Sequence, residues 1–268
     1  MKISQALVAQ QYQTPVNLNA RIQLHARFSA SPYSWFRWLF DHFALSLESR
    51  ILELGCGPGL LWRENRDRLQ PGWEFTLTDF SPGMVAEARR NLVAVLPSTA
   101  DFRLVDAQEI PFGANTFDLV IANHMLYHVP ERQRALAECR RVLKPGGRFY
   151  TSTIGERHML ELWEMVERFR PGVVAQLKSN VLGFTLENGA AQLAAYFGAV
   201  EQYLYDDGLL VTEVAPLVDY VLSSNTLTGH PLTPAQERDF GALVARRLAE
   251  ERGSLRITKA SGLFVATG

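Results

Sequence analysis

The sequence predicts an α/β fold built on a parallel sheet with helices on both faces, and three observations predict it. Across residues 50–153, short apolar segments alternate with amphipathic ones. A glycine-rich turn, Gly55-Cys56-Gly57-Pro58-Gly59, directly follows the first apolar segment. Acidic residues Glu53, Asp79 and Asp106 stand at the ends of three successive strand candidates. Strands separated by helices of this length pair in parallel and are covered on both sides.

Each element has its own justification. Residues 50–54 form a short apolar strand stopped by the glycine turn, and residues 73–78 form the next, ending at Asp79. Ser81 as N-cap and Pro82 as first helical residue open a helix over 83–96. Residues 101–105 are strand-like up to Asp106, and 117–122 are almost continuously apolar, as a strand buried on both faces requires. Residues 131–143 are helical, with Ala135, Leu136, Cys139, Val142 and Leu143 on one stripe. Lys144-Pro145-Gly146-Gly147 ends that helix before a strand over 148–152. Later come a helix over 186–197, strand pieces over 200–205 and 208–212 around Asp206-Asp207, and a closing strand over 262–267.

The glycine turn narrows the ligand. Glycines there permit a tight turn and close approach to the backbone, although a bare strand-to-helix turn has the same appearance. A dinucleotide fingerprint needs glycine three positions after Gly57, where Leu60 stands, and no Lys-Ser or Lys-Thr follows as in a phosphate-binding loop. A ligand other than a pyrophosphate is indicated. Asp79 is placed to accept from two ribose hydroxyls, or else only to precede a helix; Asp106 is placed to accept from an exocyclic amine, or else lies in a solvated turn.

With these residues on the page, the sequence resembles class I S-adenosylmethionine-dependent methyltransferases of the small-molecule type. The resemblance rests on Glu53-Leu54-Gly55-Cys56-Gly57-Pro58-Gly59, Asp79-Phe80-Ser81-Pro82-Gly83-Met84, Asp106-Ala107-Gln108, Phe117-Asp118-Leu119-Val120 and Leu143-Lys144-Pro145-Gly146-Gly147-Arg148, and covers residues 47–153. It implies a Rossmann-like seven-stranded sheet, mostly parallel with an antiparallel last strand, plus a helical cap. It also implies roles by position. The loop of Gly55, Cys56, Gly57 and Gly59 would pass beside the methionine portion of S-adenosylmethionine, and Glu53 and Asn123 would meet its ammonium. Asp79 would bind the ribose, Phe80 and Met84 would pack on adenine, and Asp106 with the Ala107 backbone would meet the adenine edge. The amino-terminal stretch would fold over the cofactor, with Arg21 or Arg27 reaching its carboxylate and Tyr12 lining the acceptor site.

Transfer from a sulfonium is an in-line displacement with a good neutral leaving group, so positioning and desolvation supply much of the catalysis. A general base is needed only for a protonated, weakly acidic acceptor. Candidates beyond strand ends are His124, Tyr127, His128 and His158, each also open to a packing or capping role. Some quinone-pathway O-methyltransferases carry glutamates at positions matching His124 and Tyr127 and bind a metal there; both acids are absent, so no metal is expected. Residues 34–43 place Phe36, Leu39, Phe40 and Phe43 on one helical face, read as packing rather than membrane contact.

Composition bounds the alternatives. The chain has 268 residues, a net charge of −1 and 23 Arg against four Lys, scattered rather than clustered. That leaves no electrostatic footprint for nucleic acid. No apolar run exceeds five residues, and Met1 to Gln5 lack the apolar core of a secretory signal, so neither membrane spanning nor secretion is expected. Cys56 and Cys139 have no metal-like spacing. The expected protein is a cytoplasmic enzyme methylating an O, N or C nucleophile of a small metabolite, plausibly in specialised metabolism. The competing readings are a nucleic-acid or protein methyltransferase, and a non-catalytic cofactor-binding accessory protein; oligomeric state is left open. Residues 46–268 are expected to form the methyltransferase domain and 1–45 a helical cap. Insertions at about 154–184 and 214–254 would complete a cover over the acceptor pocket.

Overall fold

The computed structural model describes residues 11–12, 16–225, 229 and 231–268; the stretch Met1 to Gln5 read above for targeting lies outside them. Nine strands occur among the described residues: β1 (Glu48–Leu54), β2 (Gly72–Asp79), β3 (Asp101–Leu104), β4 (Phe117–Asn123), β5 (Leu143–Ile154), β6 (Ala199–Tyr205), β7 (Gly208–Val211), β8 (Leu255–Thr258) and β9 (Ser261–Thr267). Seven of them form one sheet in the order β3-β2-β1-β4-β5-β9-β6. The first five pair in parallel, and β9 runs antiparallel to both β5 and β6. This is the expected Rossmann-like sheet.

The sheet is buried on both faces because its central strands present apolar side chains to both sides. Successive side chains point to opposite sides. Leu52, Val120, Phe149 and Phe264 enter one hydrophobic cluster, while Ile51, Ile121, Tyr150 and Val265 enter the other. Helices follow the strands: α1 (Val16–Phe28), α2 (Trp35–Asp41), α3 (Leu60–Glu64), α4 (Pro82–Leu92), α5 (Arg132–Val142), α6 (Leu160–Phe169), α7 (Val173–Val181), α8 (Gly189–Leu193), α9 (Val214–Leu222) and α10 (Pro234–Glu250). The Ser81 hydroxyl accepts from the Met84 N–H at 3.3 Å, the expected N-cap of α4. The predicted stripe of α5 is buried through Ala135, Leu136, Cys139 and Val142.

Three expectations are corrected. β5 begins at Leu143 rather than 148, because Leu143 already pairs with Phe117; the ladder resumes at Arg148 against Leu119, with a register shift between Phe117 and Leu119 and Gly146 at φ 75° in the irregular stretch. A Cβ at Gly147 would lie 3.1 Å from the Asp118 carbonyl, so glycine is what admits this close approach. The helix expected over 186–197 is α-helical only across Gly189–Leu193, pressed so closely on β9 that a Cβ at Gly189 would meet Phe264 at 2.5 Å. The strand piece after Asp207 is β7, which leaves the main sheet and pairs with β8 in a two-stranded ribbon.

That ribbon belongs to a second core. Leu24 and Phe28 of α1, Leu162 of α6, Leu217 of α9, Phe240 of α10 and Ile257 of β8 pack in one cluster distinct from the two that flank the sheet. A capping box at Thr233 and Gln236 starts α10. The turn before β7 ties this assembly to the amino-terminal chain. Asp207, its side chain 0% exposed, accepts from the Ser29 hydroxyl, the Ser31 N–H and the Lys259 ammonium. Burial alone would raise its carboxyl, but the bonds from Lys259 and Ser29 outweigh it and hold Asp207 below its ordinary pKa.

Breaking a buried pair leaves an uncompensated charge, which costs about 3–5 kcal/mol. Asp207→Ala should therefore lower unfolding free energy by about that amount in urea titrations, and Asp207→Ala with Lys259→Met should recover most of the loss.

Candidate functional site

The carboxyl ends of β1 to β5 open onto a cavity of about 700 Å³. Topology places it there. β1 lies between β2 and β4, so the connections leaving β1 and β4 go to opposite faces and part at a crevice. Two backbone features shape the crevice floor. Gly55, Gly57 and Gly59 all have positive φ, at 69°, 52° and 79°. A Cβ at Gly55 would stand 3.0 Å from the Met125 Cβ, so the loops after β1 and β4 touch because Gly55 has none. The chain leaves β4 through His124, itself left-handed at φ 49°, with its N–H bonded to the Ser152 carbonyl at 3.1 Å.

The acidic residues form a graded set. Glu53 is buried and accepts from the Trp62 indole N–H at 2.6 Å. Burial pushes its carboxyl up to about 7; the Trp62 bond lowers it, and the nearby Asp79 charge raises it further. Asp79 accepts from the Gly57 N–H at 3.0 Å and the Ser81 N–H at 2.9 Å, and burial raises its carboxyl despite those bonds. The glycine loop is thus clamped to the carboxylate expected to bind ribose. Asp106 accepts from the Gln108 backbone at 2.9 Å and from its side-chain amide. Ala107, Phe80, Met84 and Asn123 line the same cavity. Cys56 contributes backbone, its N–H bonding the Thr78 carbonyl at 2.8 Å, and burial raises its thiol well above the ordinary range.

The opposite wall is aromatic and imidazole-rich. The Tyr12 hydroxyl meets His128 Nε2 at 2.8 Å, and Tyr127 packs edge-on against the same ring. His124 lies 5.2 Å from Trp35 and His158 lies 5.6 Å from His25, centroid to centroid. Burial drives all these imidazoles toward the neutral form: His124 down to about 4, His128 to about 3 and His158 to about 3, with repulsion from neighbouring cations and histidines adding to it. Burial likewise raises the Tyr12 and Tyr127 hydroxyls, so both stay protonated.

Seven described residues carry buried side-chain polar atoms with no partner, and five of them (His25, Trp35, Asn123, His128 and His158) line this cavity. Buried polar groups are almost always satisfied, so such a concentration marks a surface built to meet a ligand. No group of three or more His, Cys, Asp or Glu suited to a metal occurs among the described residues.

Two candidates stand elsewhere. Gly59 is behind the loop, where a Cβ would meet Leu92 at 2.5 Å, and its work is to start α3. Arg27 points to solvent and pairs with Glu213 at 2.5 Å, because the face of α1 that meets the cavity is that of Leu18, Arg21, Ile22 and His25. Trp163, Tyr205, Tyr220 and Lys259 also line the cavity and were not singled out from the sequence. They come from four separate late elements with no shared motif, and only the tertiary fold brings them together.

Residues 52–151 match the sequence family described as methyltransferase domain. A malonyl-acyl-carrier-protein O-methyltransferase of Enterobacter lignolyticus is 34% identical over 122 residues, which is 44% of this chain and 45% of that protein. A ubiquinone biosynthesis O-methyltransferase of Xanthomonas oryzae is 35% identical over 107 residues, 40% of this chain and 43% of that protein. The chain thus spans less than half the length of these curated relatives. Among solved structures, a phosphoethanolamine N-methyltransferase of Haemonchus contortus bound to S-adenosylhomocysteine superposes with TM-score 0.59 at 16% identity, covering 97% of this chain and 59% of that one. The 4+2 cyclase SpnF superposes with TM-score 0.59 at 18% identity, covering 100% and 98%. The fold is therefore common ground for different reactions, and function has to be argued from the site.

The neutral histidines set an acid limit. Below about pH 6.5 the unfolded chain takes up protons that His124, His128 and His158 refuse in the folded state, so stability falls as pH drops toward about 4. The slope is at most about 1.4 kcal/mol per pH unit for each imidazole. Glu53, raised to about 7, works in the opposite sense and offsets one of the three. Urea unfolding at pH 7, 5.5 and 4.5 should show this loss, and His158→Gln should flatten it.

Proposed function

Because residues 52–151 are a methyltransferase domain in sequence and in fold, we propose that this chain transfers a methyl group from S-adenosylmethionine to a small-molecule metabolite. The observation that carries this reading is the single cavity in which Glu53, Asp79 and Asp106, from three adjacent strand ends, face a wall of unpartnered polar side chains. The residues fit the cofactor. Asp79 stands beside the glycine loop for the ribose hydroxyls, and Phe80, Met84, Asp106 and Ala107 line the same cavity for the adenine. Glu53 and the unpaired amide of Asn123 stand ready for the ammonium. When bound, S-adenosylmethionine supplies an electrophilic methyl on a sulfonium centre.

The chain's own residues do the rest. We assign the described residues within 11–45, 154–184 and 214–254 to a cover that excludes water, which raises the reactivity of a nucleophile held inside. Neutral imidazoles serve this site because charged ones would repel a sulfonium. The Tyr12 hydroxyl, 2.8 Å from His128 Nε2, is held in place to hydrogen-bond and orient the acceptor's nucleophile. His124, Tyr127 and His158 shape the same acceptor half. The small-molecule reading is supported by the depth of the cavity and by relatives whose names place them in ubiquinone and acyl-carrier-linked synthesis. No described helix is long and apolar enough to cross a membrane.

Asp79→Ala removes a charged hydrogen-bond partner and should weaken S-adenosylhomocysteine binding about 10- to 100-fold by calorimetry; unchanged affinity would overturn the ribose role. Tyr12→Phe should cut methyl incorporation from labelled S-adenosylmethionine into a cell-extract metabolite fraction by about 10²-fold. Its S-adenosylhomocysteine affinity should stay near wild type.

A further inference from the structure

Resting on the methyltransferase reading, we propose that the methyl acceptor carries a carboxylate and that Arg21 is the residue that receives it. Arg21 lies on α1 and lines the cavity. Its guanidinium is fixed by three bonds at the end of α9: Nε to the Ser223 hydroxyl at 3.0 Å, and Nη2 to the Ser223 carbonyl at 3.0 Å and the Ser224 hydroxyl at 3.2 Å. All three acceptors are neutral, and no carboxylate lies within ion-pair distance of Arg21 among the described residues. Of the other cations lining the cavity, Lys259 is already neutralised by Asp207, and Lys178 on α7 is exposed to solvent.

The distribution of acids sharpens the assignment. The acidic side chains that line the cavity come from the strand ends, from α3 and from the loop after β5; α1 and α9 contribute none. The α1–α9 wall is therefore cationic, while the strand-end wall is anionic and suited to a cationic donor. A guanidinium held in a fixed orientation and left without a counter-charge matches the planar, two-oxygen geometry of a carboxylate. The Tyr12 hydroxyl also meets the Arg21 guanidinium, and Tyr220 lines the cavity beside it with ring surface. The preferred acceptor is thus an acid with an apolar or aromatic body, anchored by Arg21 with its nucleophile toward Tyr12 and the strand ends.

A carboxylate at Arg21 could come from the acceptor or from the amino-acid end of the cofactor, and one calorimetric design separates them. S-adenosylhomocysteine-saturated full chain is titrated with 4-hydroxybenzoate, hexanoate and the neutral 4-hydroxybenzamide, for wild type, Arg21→Gln and Arg21→Lys. S-adenosylhomocysteine and 5′-methylthioadenosine, which lacks the amino-acid end, are titrated into each protein without acceptor. The expected result is a preference for at least one acid over the amide of about tenfold or more in wild type, absent in Arg21→Gln and reduced in Arg21→Lys, with S-adenosylhomocysteine affinity unchanged. The proposal is overturned if neither acid binds, if the preference survives Arg21→Gln, or if Arg21→Gln weakens S-adenosylhomocysteine while sparing 5′-methylthioadenosine. Failure of wild type to bind S-adenosylhomocysteine at all would instead strike the methyltransferase reading itself.

Discussion

Everything functional in this chain depends on the contact between the loop after β1 and the loop after β4. Gly55 and Met125 approach so closely that a single Cβ would press on the Met125 side chain. That contact needs two left-handed residues, Gly55 on one side and His124 on the other. A non-glycine residue in that region costs about 1–3 kcal/mol, and its persistence is expected where surrounding structure enforces it. Here β4, β5 and the tilted Trp35 ring against His124 enforce it. The crevice, the clamp of Asp79 on the Gly57 N–H and the position of the imidazole wall follow from this one closure.

The sheet and the strand-end half of the cavity were legible because both are written locally. Strand runs such as 117–122, the caps at Ser81 and Pro82, and the acidic residues at strand ends depend on neighbours in sequence, and the folded chain keeps them. What was not legible depends on distant packing. Arg27 and Arg21 differ by six positions, which turns them to different faces of α1, and only the docking of α1 on α9 decides which face meets the cavity. Gly59 belongs to the loop by sequence, yet its tight neighbour is Leu92, a contact no local pattern reveals. The β7–β8 ribbon was missed for a similar reason: its two strands lie more than forty residues apart, β7 alone reads as another strand of the main sheet, and β8 does not stand out as a strand at all.

Burial organises the chemistry of the cavity more than any single charge pair does. It holds His25, His124, His128 and His158 neutral, keeps Tyr12, Tyr127 and Tyr220 protonated and brings Glu53 to the edge of titration at neutral pH. A wall of neutral donors and acceptors can recognise polar groups without opposing a cationic donor, while its two less exposed cations, Lys259 and Arg21, are handled differently. One is paired with Asp207; the other is held by neutral oxygens alone.

The second core has a consequence for how the molecule opens. Its apolar contacts are made among α1, α6, α9, α10 and the β7–β8 ribbon, while the sheet keeps its own two clusters, and the cavity lies along the seam. Two cores joined across a cleft can lose their structure at different free energies, as separate cooperative units. Any molecule seated in the seam touches both and adds its binding free energy to their coupling. Ligand occupancy would then appear in hydrogen exchange as a merging of two protection levels into one, with the largest gain far from the ligand, in α10.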